Sequence, residues 1–402
     1  VTELLDISMG TLYSYVSRGL IRSEESSDDT RRRRYRSEDV AQLQQRKERR
    51  HNPAVVAESA FYWGDPVLES AITLIENERP YYRGSDVLKL AEEQIFEAVT
   101  YLLWTGSLPQ DSRAVDGGVL PERLLQRGSE LKPTLSRLPP VDAFQCLLPV
   151  LATEDLAAHD LTPNGVMRTG GRIIRLLMWL VTGALNDQPI AQQLAQHWTP
   201  NCPSAEQLFN AALILCADHE LNASSFVVRC VVSTGATPYA GVQAGLAALQ
   251  GPHHCGDALR MERFLADARA DPREAIAQRV KQGERLPGFI HQLYPNGDPR
   301  ARLLLTLLQN AMPANVNVRL AEQLSAEVQS HFSTYPILDF ALVVLQMAMD
   351  LPSGSSSLLF ALGRIAGWVA HMIEQYASGR LIRPRARYVG KAVGEQLVAK
   401  DM

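Results

Sequence analysis

Asp218-His219-Glu220-Leu221-Asn222-Ala223-Ser224 is a polar break between two apolar runs, 205–217 and 225–249, and Gly251-Pro252-His253-His254 closes the second run. Within each run apolar residues recur at spacings of three and four, the period of a helix with one buried face. Similar runs occupy 88–104, 171–185, 300–312, 316–331, 338–349 and 357–376, and period-two alternation is nearly absent. The expected fold is therefore all-α. Short hairpins are expected only near 78–82 and in the arginine-rich segment around 31–36, and 110–138 reads either way. Two histidines in such breaks, each beside a long apolar run, raise the question of which anion or carbonyl the imidazoles meet.

A chain of 402 residues can bury a large core and hold two or three domains. Its 46% hydrophobic and 21% charged residues are those of a soluble globular protein. The net charge of −4 argues against binding nucleic acid or an anionic membrane with the whole surface, although not with a local patch. Cys146, Cys202, Cys216, Cys230 and Cys255 are scattered without CxxC spacing. Such a set reads as reduced thiols in a cytoplasmic protein, with no metal site expected. The longest apolar stretch, near 173–185, is interrupted by Arg175 and is too short to cross a bilayer, so neither a membrane span nor a secretory signal is expected. The chain opens at Val1, already inside an expected helix, so a few residues are expected to precede it.

Residues 1–52 differ from the rest, with about 11 Lys/Arg against about 9 Asp/Glu. The residues up to Leu5 read as the end of one helix, and Ser8 as the N-cap of a second that Gly19 stops. A basic hairpin and a further helix start at Ser37-Glu38-Asp39-Val40 follow. Helix, turn, helix, basic wing and helix is the layout of a winged helix-turn-helix reader. Thr11-Leu12-Tyr13-Ser14-Tyr15-Val16-Ser17-Arg18-Gly19-Leu20-Ile21 and Arg34-Tyr35-Arg36-Ser37-Glu38-Asp39-Val40 resemble the MerR/excisionase type of DNA-binding domain. The resemblance implies DNA contacts by Ser14, Tyr15, Arg18, Arg31, Arg32, Arg33, Arg34 and Arg36, the arginines mainly on phosphates. The plainer alternative is a solvated basic extension that aids assembly. His51-Asn52-Pro53 marks the expected boundary.

Beyond it, polar residues stand at helix breaks or on apolar faces: His219, His254, His291 after Leu286-Pro287-Gly288-Phe289-Ile290, Arg300 after Asp298-Pro299, Asp339, Arg364 and Arg383. Taken singly, each has a plain reading as a cap, a packed core residue or a structural ion pair. Together, three histidines, three arginines and one carboxylate suggest a site for a small dicarboxylate, which arginine forks bind bidentately. A carboxylate on the apolar face at Asp339 loses solvation, so its pKa is expected to rise and suit it to act as a base.

The ordered set resembles the citrate synthase family. The matching words are Tyr82-Arg83-Gly84, Phe96-Glu97-Ala98-Val99 running to Leu108-Pro109, Asp218 to Ser224, Ala244-Gly245 to Gly251-Pro252, Pro287-Gly288-Phe289 to Arg300-Ala301, Gly367-Trp368-Val369-Ala370-His371, and Arg383-Pro384 to Tyr388-Val389-Gly390. The resemblance implies a large helical domain over 53–254 and 346–402, with a smaller mobile domain over 255–345. It further implies condensation of acetyl-CoA with oxaloacetate to give citrate and CoA. Asp339 would remove a methyl proton, His254 would hydrogen-bond the thioester oxygen, and His291 would polarise the ketone. His219, Arg300 and Arg364 would hold carboxylates, and Arg383 would reach across from the second subunit of a homodimer. Arg285, Leu286, Pro287, Gly288 and Phe289 would cover the CoA adenine, and no cofactor is implied.

The chain departs from the family where it has Gly251-Pro252-His253-His254-Cys255-Gly256-Asp257, since the family usually reads Gly-Pro-Leu-His-Gly-Gly. It departs again at Ile290, where the family has glycine before the histidine. Added side chains beside both histidines would crowd an acyl-CoA. Three readings follow: an active synthase taking acetyl-CoA or propionyl-CoA, the latter giving 2-methylcitrate; a DNA-binding regulator sensing a dicarboxylate or CoA ester; and a catalytically dead subunit that pairs with an active paralogue. Asp339 favours the first, because a sensor needs no base there.

Overall fold

Ser355–Ser378 is the helix around which the larger unit is built. Most of its residues on all sides are buried, as expected of a helix surrounded by protein. It packs against the helices Phe96–Thr105, Pro163–Thr182, Ala205–Cys216, Ala223–Val232, Pro238–Leu249 and Leu338–Ala348. By length and composition it could cross a membrane, yet 89% of its apolar window is buried inside the fold. Among the described residues this helix, and not the stretch near 173–185, is the long apolar segment.

The structure is a computed structural model. It describes residues 1–5, 7–18, 20–26, 29–36, 39–40, 68–109, 118, 120–254 and 257–390, with backbone alone at 3, 24–26 and 29–34. The chain forms two units, Val1–Glu69 and Ser70–Met402. The expected boundary at 52–53 lies outside the described residues.

In the larger unit, two expected runs are each two helices. The 88–104 run breaks into Val87–Glu93 and Phe96–Thr105. The break is capped from a distance, because the Asn210 side chain accepts from the Phe96 N–H at 2.8 Å and donates to the Gln94 carbonyl at 2.8 Å. The 225–249 run breaks into Ala223–Val232 and Pro238–Leu249, with Gly235 at φ 84° and Pro238 opening the second helix. The ambiguous stretch supplies the helix Glu122–Leu135.

The expected hairpin near 78–82 is present as Thr73–Glu76 paired with Arg79–Tyr82, and Ser85–Asp86 adds a third short strand. Asn77 and Glu78 both have positive φ, which is what a tight two-residue turn between twisted strands requires. Tyr82 is fully buried, and its hydroxyl reaches the backbone of Ile214 and Asp218. The hairpin thus ties itself to the polar break at 218.

In the N-terminal unit the helices Thr2–Leu5 and Met9–Ser17 precede a hairpin of Ser23–Ser26 with Asp29–Tyr35. Ser8 caps the second helix by accepting from the Thr11 N–H, as expected. Leu5, Leu12, Ile21 and Val40 form a small core. Asp39 clasps Arg22 through its backbone N–H and both sides of its guanidinium, and these contacts hold the carboxyl at about 2.

Glycine lets the central helix approach its neighbours closely. A Cβ on Gly367 would sit 2.3 Å from the Ala217 carbonyl oxygen and 2.4 Å from Asp218 Oδ1. Neither atom is the free end of a flexible side chain, and the Gly367 N–H donates to that same carbonyl at 3.0 Å. Gly367→Ala should therefore cost about 1–3 kcal/mol of stability and displace the turn carrying His219. Thermal denaturation checks this, and an unchanged melting temperature would contradict it.

Candidate active site

The break at 218–222 is held from three sides. Asp218 is fully buried, and Thr73 Oγ1 donates to its Oδ2 at 2.6 Å. His371 Nε2 lies 3.2 Å from its Oδ1. Arg229 Nε donates to His371 Nδ1 at 3.0 Å and pairs with Glu374. Burial works against the Asp218 charge, but His371, Arg364 and Thr73 outweigh it and lower its pKa. Glu220 then takes φ 55°, which turns the chain sharply. Asn222 caps the next helix by accepting from the Ser225 N–H.

This turn presents His219, which is buried. Its ring lies 5.2 Å from that of His291 and 5.5 Å from that of Tyr294. Its Nε2 is 2.9 Å from the Tyr294 hydroxyl. Burial first, then the Arg300, His291 and Arg364 charges, lower its pKa well below the ordinary histidine value, so the ring is neutral. His291 is half-buried, and burial followed by the Arg300 charge lowers it to about 4. The Leu293 N–H donates to His291 Nδ1 at 3.2 Å, which leaves Nε2 as the nitrogen carrying the proton.

His254 is also half-buried and is lowered to about 4, by burial and then by Arg364. Its Nε2 lies 2.9 Å from Ser224 Oγ, which also meets Asn222 Oδ1 at 2.8 Å and Trp368 Nε1 at 3.3 Å. Trp368 can only donate and Asn222 Oδ1 can only accept, so the single Ser224 proton goes to Asn222 and Ser224 Oγ accepts from His254 Nε2.

The two interior arginines differ. Arg300 is engaged by buried Asp298, which accepts from Nε at 3.0 Å and Nη2 at 2.9 Å, and its guanidinium lies 5.3 Å from the Tyr294 ring centre. Arg364 donates from Nε to the Cys216 carbonyl at 2.7 Å. Among the described residues its buried Nη1 has no hydrogen-bond partner. A buried cationic donor of this kind is costly unless something anionic meets it. Phe360 joins this arginine to His254, with the guanidinium 4.6 Å from its ring centre and the His254 ring 6.3 Å away.

Asp339 is half-buried in the first turn of Leu338–Ala348. A small crevice opens beside it, lined by Met261, Ser356 and Phe360 among others. A cavity of about 340 Å³ lies elsewhere, between Pro299–Ala311 and Val316–Phe332, and no histidine lines it. Of the expected CoA segment, Arg285 is exposed while Leu286, Pro287, Gly288 and Phe289 are buried. Phe289 meets the Phe264 ring edge to face and the Phe340 ring at a tilt, and the Gly288 carbonyl accepts from the Ile337 N–H. Arg383 is exposed within this single chain, in a segment without regular structure, and is not brought to the other residues. In the N-terminal unit Ser14 is half-buried, Tyr15 packs against the small core, and Arg18 and Arg36 are exposed. The side chains of Arg31, Arg32, Arg33 and Arg34 lie outside the described residues.

Sequence reasoning missed Tyr294, Ser224 as the partner of His254, and Asp298. The signal for Asp298 was available, since Asp-Pro-Arg places a carboxylate at an N-cap two residues before an arginine. Of the departures, His253 is exposed and Asp257 lies 3.5 Å from Arg260, while Cys255 and Gly256 lie outside the described residues. Ile290 sits at φ 87° with its side chain 58% exposed. A β-branched residue there is a backbone outlier, in the conformation a glycine would adopt freely.

The arrangement offers neutral N–H donors from imidazoles, a buried guanidinium with an open donor and a nearby carboxylate. It suits a ligand with carbonyl and carboxylate oxygens. A family model described as citrate synthase, C-terminal domain, matches residues 61–385. Citrate synthase of Mycolicibacterium smegmatis is 30% identical over 334 residues, 77% of this chain and 88% of its own. 2-Methylcitrate synthase of Mycobacterium tuberculosis is 28% identical over 335 residues, 77% of this chain and 84% of its own. The crystal structure of citrate synthase from Thermotoga maritima superposes with a TM-score of 0.71 at 28% identity, covering 83% of this chain and 96% of that one.

Two outcomes follow from the site. Ile290→Gly should raise stability by about 1 kcal/mol, because relief of a strained φ, about 1–3 kcal/mol, exceeds the entropy that glycine adds to the unfolded chain. A lower denaturation midpoint would refute the strain. His254 and His291 sit at about 4 against an ordinary 6.5. Below 6.5 the unfolded chain takes up protons that the folded one refuses, so stability should fall as pH drops from 6.5 toward 4. Urea denaturation across that range checks this, and His291→Gln should flatten the slope.

Proposed function

This chain belongs to the citrate synthase family, and on that premise we propose that it condenses acetyl-CoA with oxaloacetate and water to give citrate and CoA. The observation that carries the reading is the convergence of neutral His219 and His291 with Arg300 around Tyr294, beside the open donor of Arg364. Acetyl-CoA enters as a substrate, and the reaction uses no cofactor.

In this reading Asp339 takes a methyl proton from acetyl-CoA, the C–H electrons form the carbon–carbon double bond, and the carbonyl π pair moves onto the thioester oxygen, where the enol oxygen is met by His254. His254 stabilises the enol oxygen with an N–H. For its Nδ1 to donate, Ser224 must turn its proton from Asn222 Oδ1 to His254 Nε2. The enol carbon attacks the ketone of oxaloacetate, whose π pair moves to the oxygen and takes the Nε2 proton of His291 to give the citryl hydroxyl. Neutral imidazoles suit this task because they donate without drawing the carboxylates of the substrate onto themselves as ion pairs. His219, Arg300 and Arg364 hold those carboxylates, and Arg383 is contributed by the second copy of a homodimer. Water then adds to the citryl thioester, the C–S bond breaks, and CoA leaves. The 255–345 segment, with Arg285, Leu286, Pro287, Gly288 and Phe289 against the CoA adenine, closes on 53–254 and 346–402 to exclude bulk water.

Residues 1–52 belong to this proposal as a MerR-like winged helix-turn-helix that binds DNA. The Ser8-capped helix, the clasp of Arg22 by Asp39 and the hairpin strand running through the arginines support it. Two variants of the main reading each rest on one observation. The relative named 2-methylcitrate synthase supports propionyl-CoA as acyl donor. The strained Ile290 beside His291 supports a site that binds its ligand and turns over weakly, as a sensor would.

Release of free CoA, followed with a thiol reagent, should require both substrates and fall at least about 100-fold in Asp339→Ala. Oxaloacetate binding without CoA release would instead establish the sensor, and a higher kcat/KM for propionyl-CoA the 2-methylcitrate variant. For DNA, a gel shift at low salt should be lost when residues 1–52 are removed and should weaken steeply as salt rises. Binding indifferent to that removal would end the DNA proposal.

A further inference from the structure

Tyr294 is 2% exposed, yet among the described residues its hydroxyl is directed at a single group, 2.9 Å from His219 Nε2. Its ring lies 4.8 Å from the His291 ring, and the Arg300 guanidinium lies 5.3 Å from its centre. One side chain therefore touches three of the residues assigned to oxaloacetate. We propose that Tyr294 is a positioning residue for oxaloacetate, holding His219 in the tautomer that donates from Nδ1. This rests on the reading that His219 binds a substrate carboxylate.

A neutral imidazole has one N–H and one lone pair. To meet a carboxylate, His219 must offer an N–H, and Nε2 is already taken by the phenol. The ring must then carry its proton on Nδ1 and accept from Tyr294 at Nε2. Tyrosine can supply that donor because burial, followed by the competing influences of Arg300 and Asp298, leaves its hydroxyl raised to about 12 and protonated. The opposite tautomer would point a lone pair at the carboxylate and repel it. The tyrosine ring also packs as a wall against the His219 and His291 rings, so the same side chain sets orientation and proton position.

Tyr294→Phe keeps the ring and removes the donor. The KM for oxaloacetate should rise about three- to tenfold, the scale of one hydrogen bond, with the KM for acetyl-CoA and the melting temperature little changed. Nitrogen-15 NMR of the imidazoles should show His219 moving from the Nδ1–H to the Nε2–H tautomer. Tyr294→Leu, which also removes the wall, should lose more stability without a larger tautomer shift. His219→Ala is measured in parallel. If it raises the oxaloacetate KM while Tyr294→Phe changes neither KM nor tautomer, the role of Tyr294 is overturned and that of His219 stands. If His219→Ala leaves the KM unchanged, the carboxylate role of His219 falls, and this proposal falls with it.

Discussion

A buried carboxylate holds the site together. Asp218 is fully buried, and the elements that meet it are distant in sequence: the Thr73–Glu76 hairpin through Thr73, the central helix through His371, and the Tyr82 hydroxyl at its backbone. Each contact answers part of the cost of burying a charge. Because Arg229 donates to His371 Nδ1, the ring presents its Nε2–H to Asp218. Strand, helix and turn are therefore held in one register, and His219 follows directly in the chain. The break that looks in sequence like a polar interruption is among the most tightly determined stretches of the larger unit.

The neutrality of the three site histidines has the same origin. Burial disfavours the imidazolium, and Arg300 or Arg364 adds a like charge against it. The arginines that suit the site to anions thus also keep its histidines as neutral donors. Anion binding and proton state are two outcomes of one charge arrangement.

Much of this was legible in the sequence. Helical periodicity gave the all-α body, and His219, His254 and His291 stood out because turns punctuated by proline and glycine carried them. The break inside 88–104 was hidden because its cap comes from Asn210, more than a hundred residues away. The break at Gly235 and Pro238 was signalled locally but masked by the apolar residues around it. Tyr294 gave no sign, since a tyrosine in a Pro-Gly-rich segment has no period to mark which way its hydroxyl points. Ile290 could be suspected from the missing glycine, but only its φ of 87° shows that the backbone kept the glycine conformation after the residue changed.

Asp298 accepts from Arg300 and, through Oδ2, from the Leu338 N–H at 3.1 Å, at the start of the helix that carries Asp339. One carboxylate therefore fastens Arg300, the proposed holder of a substrate carboxylate, to the helix of the proposed base. The two cannot drift independently in the course of divergence, since loosening one unseats the other. Freedom to accept a different acyl chain would then come from other residues lining the crevice beside Asp339, such as Ala258 and Met261.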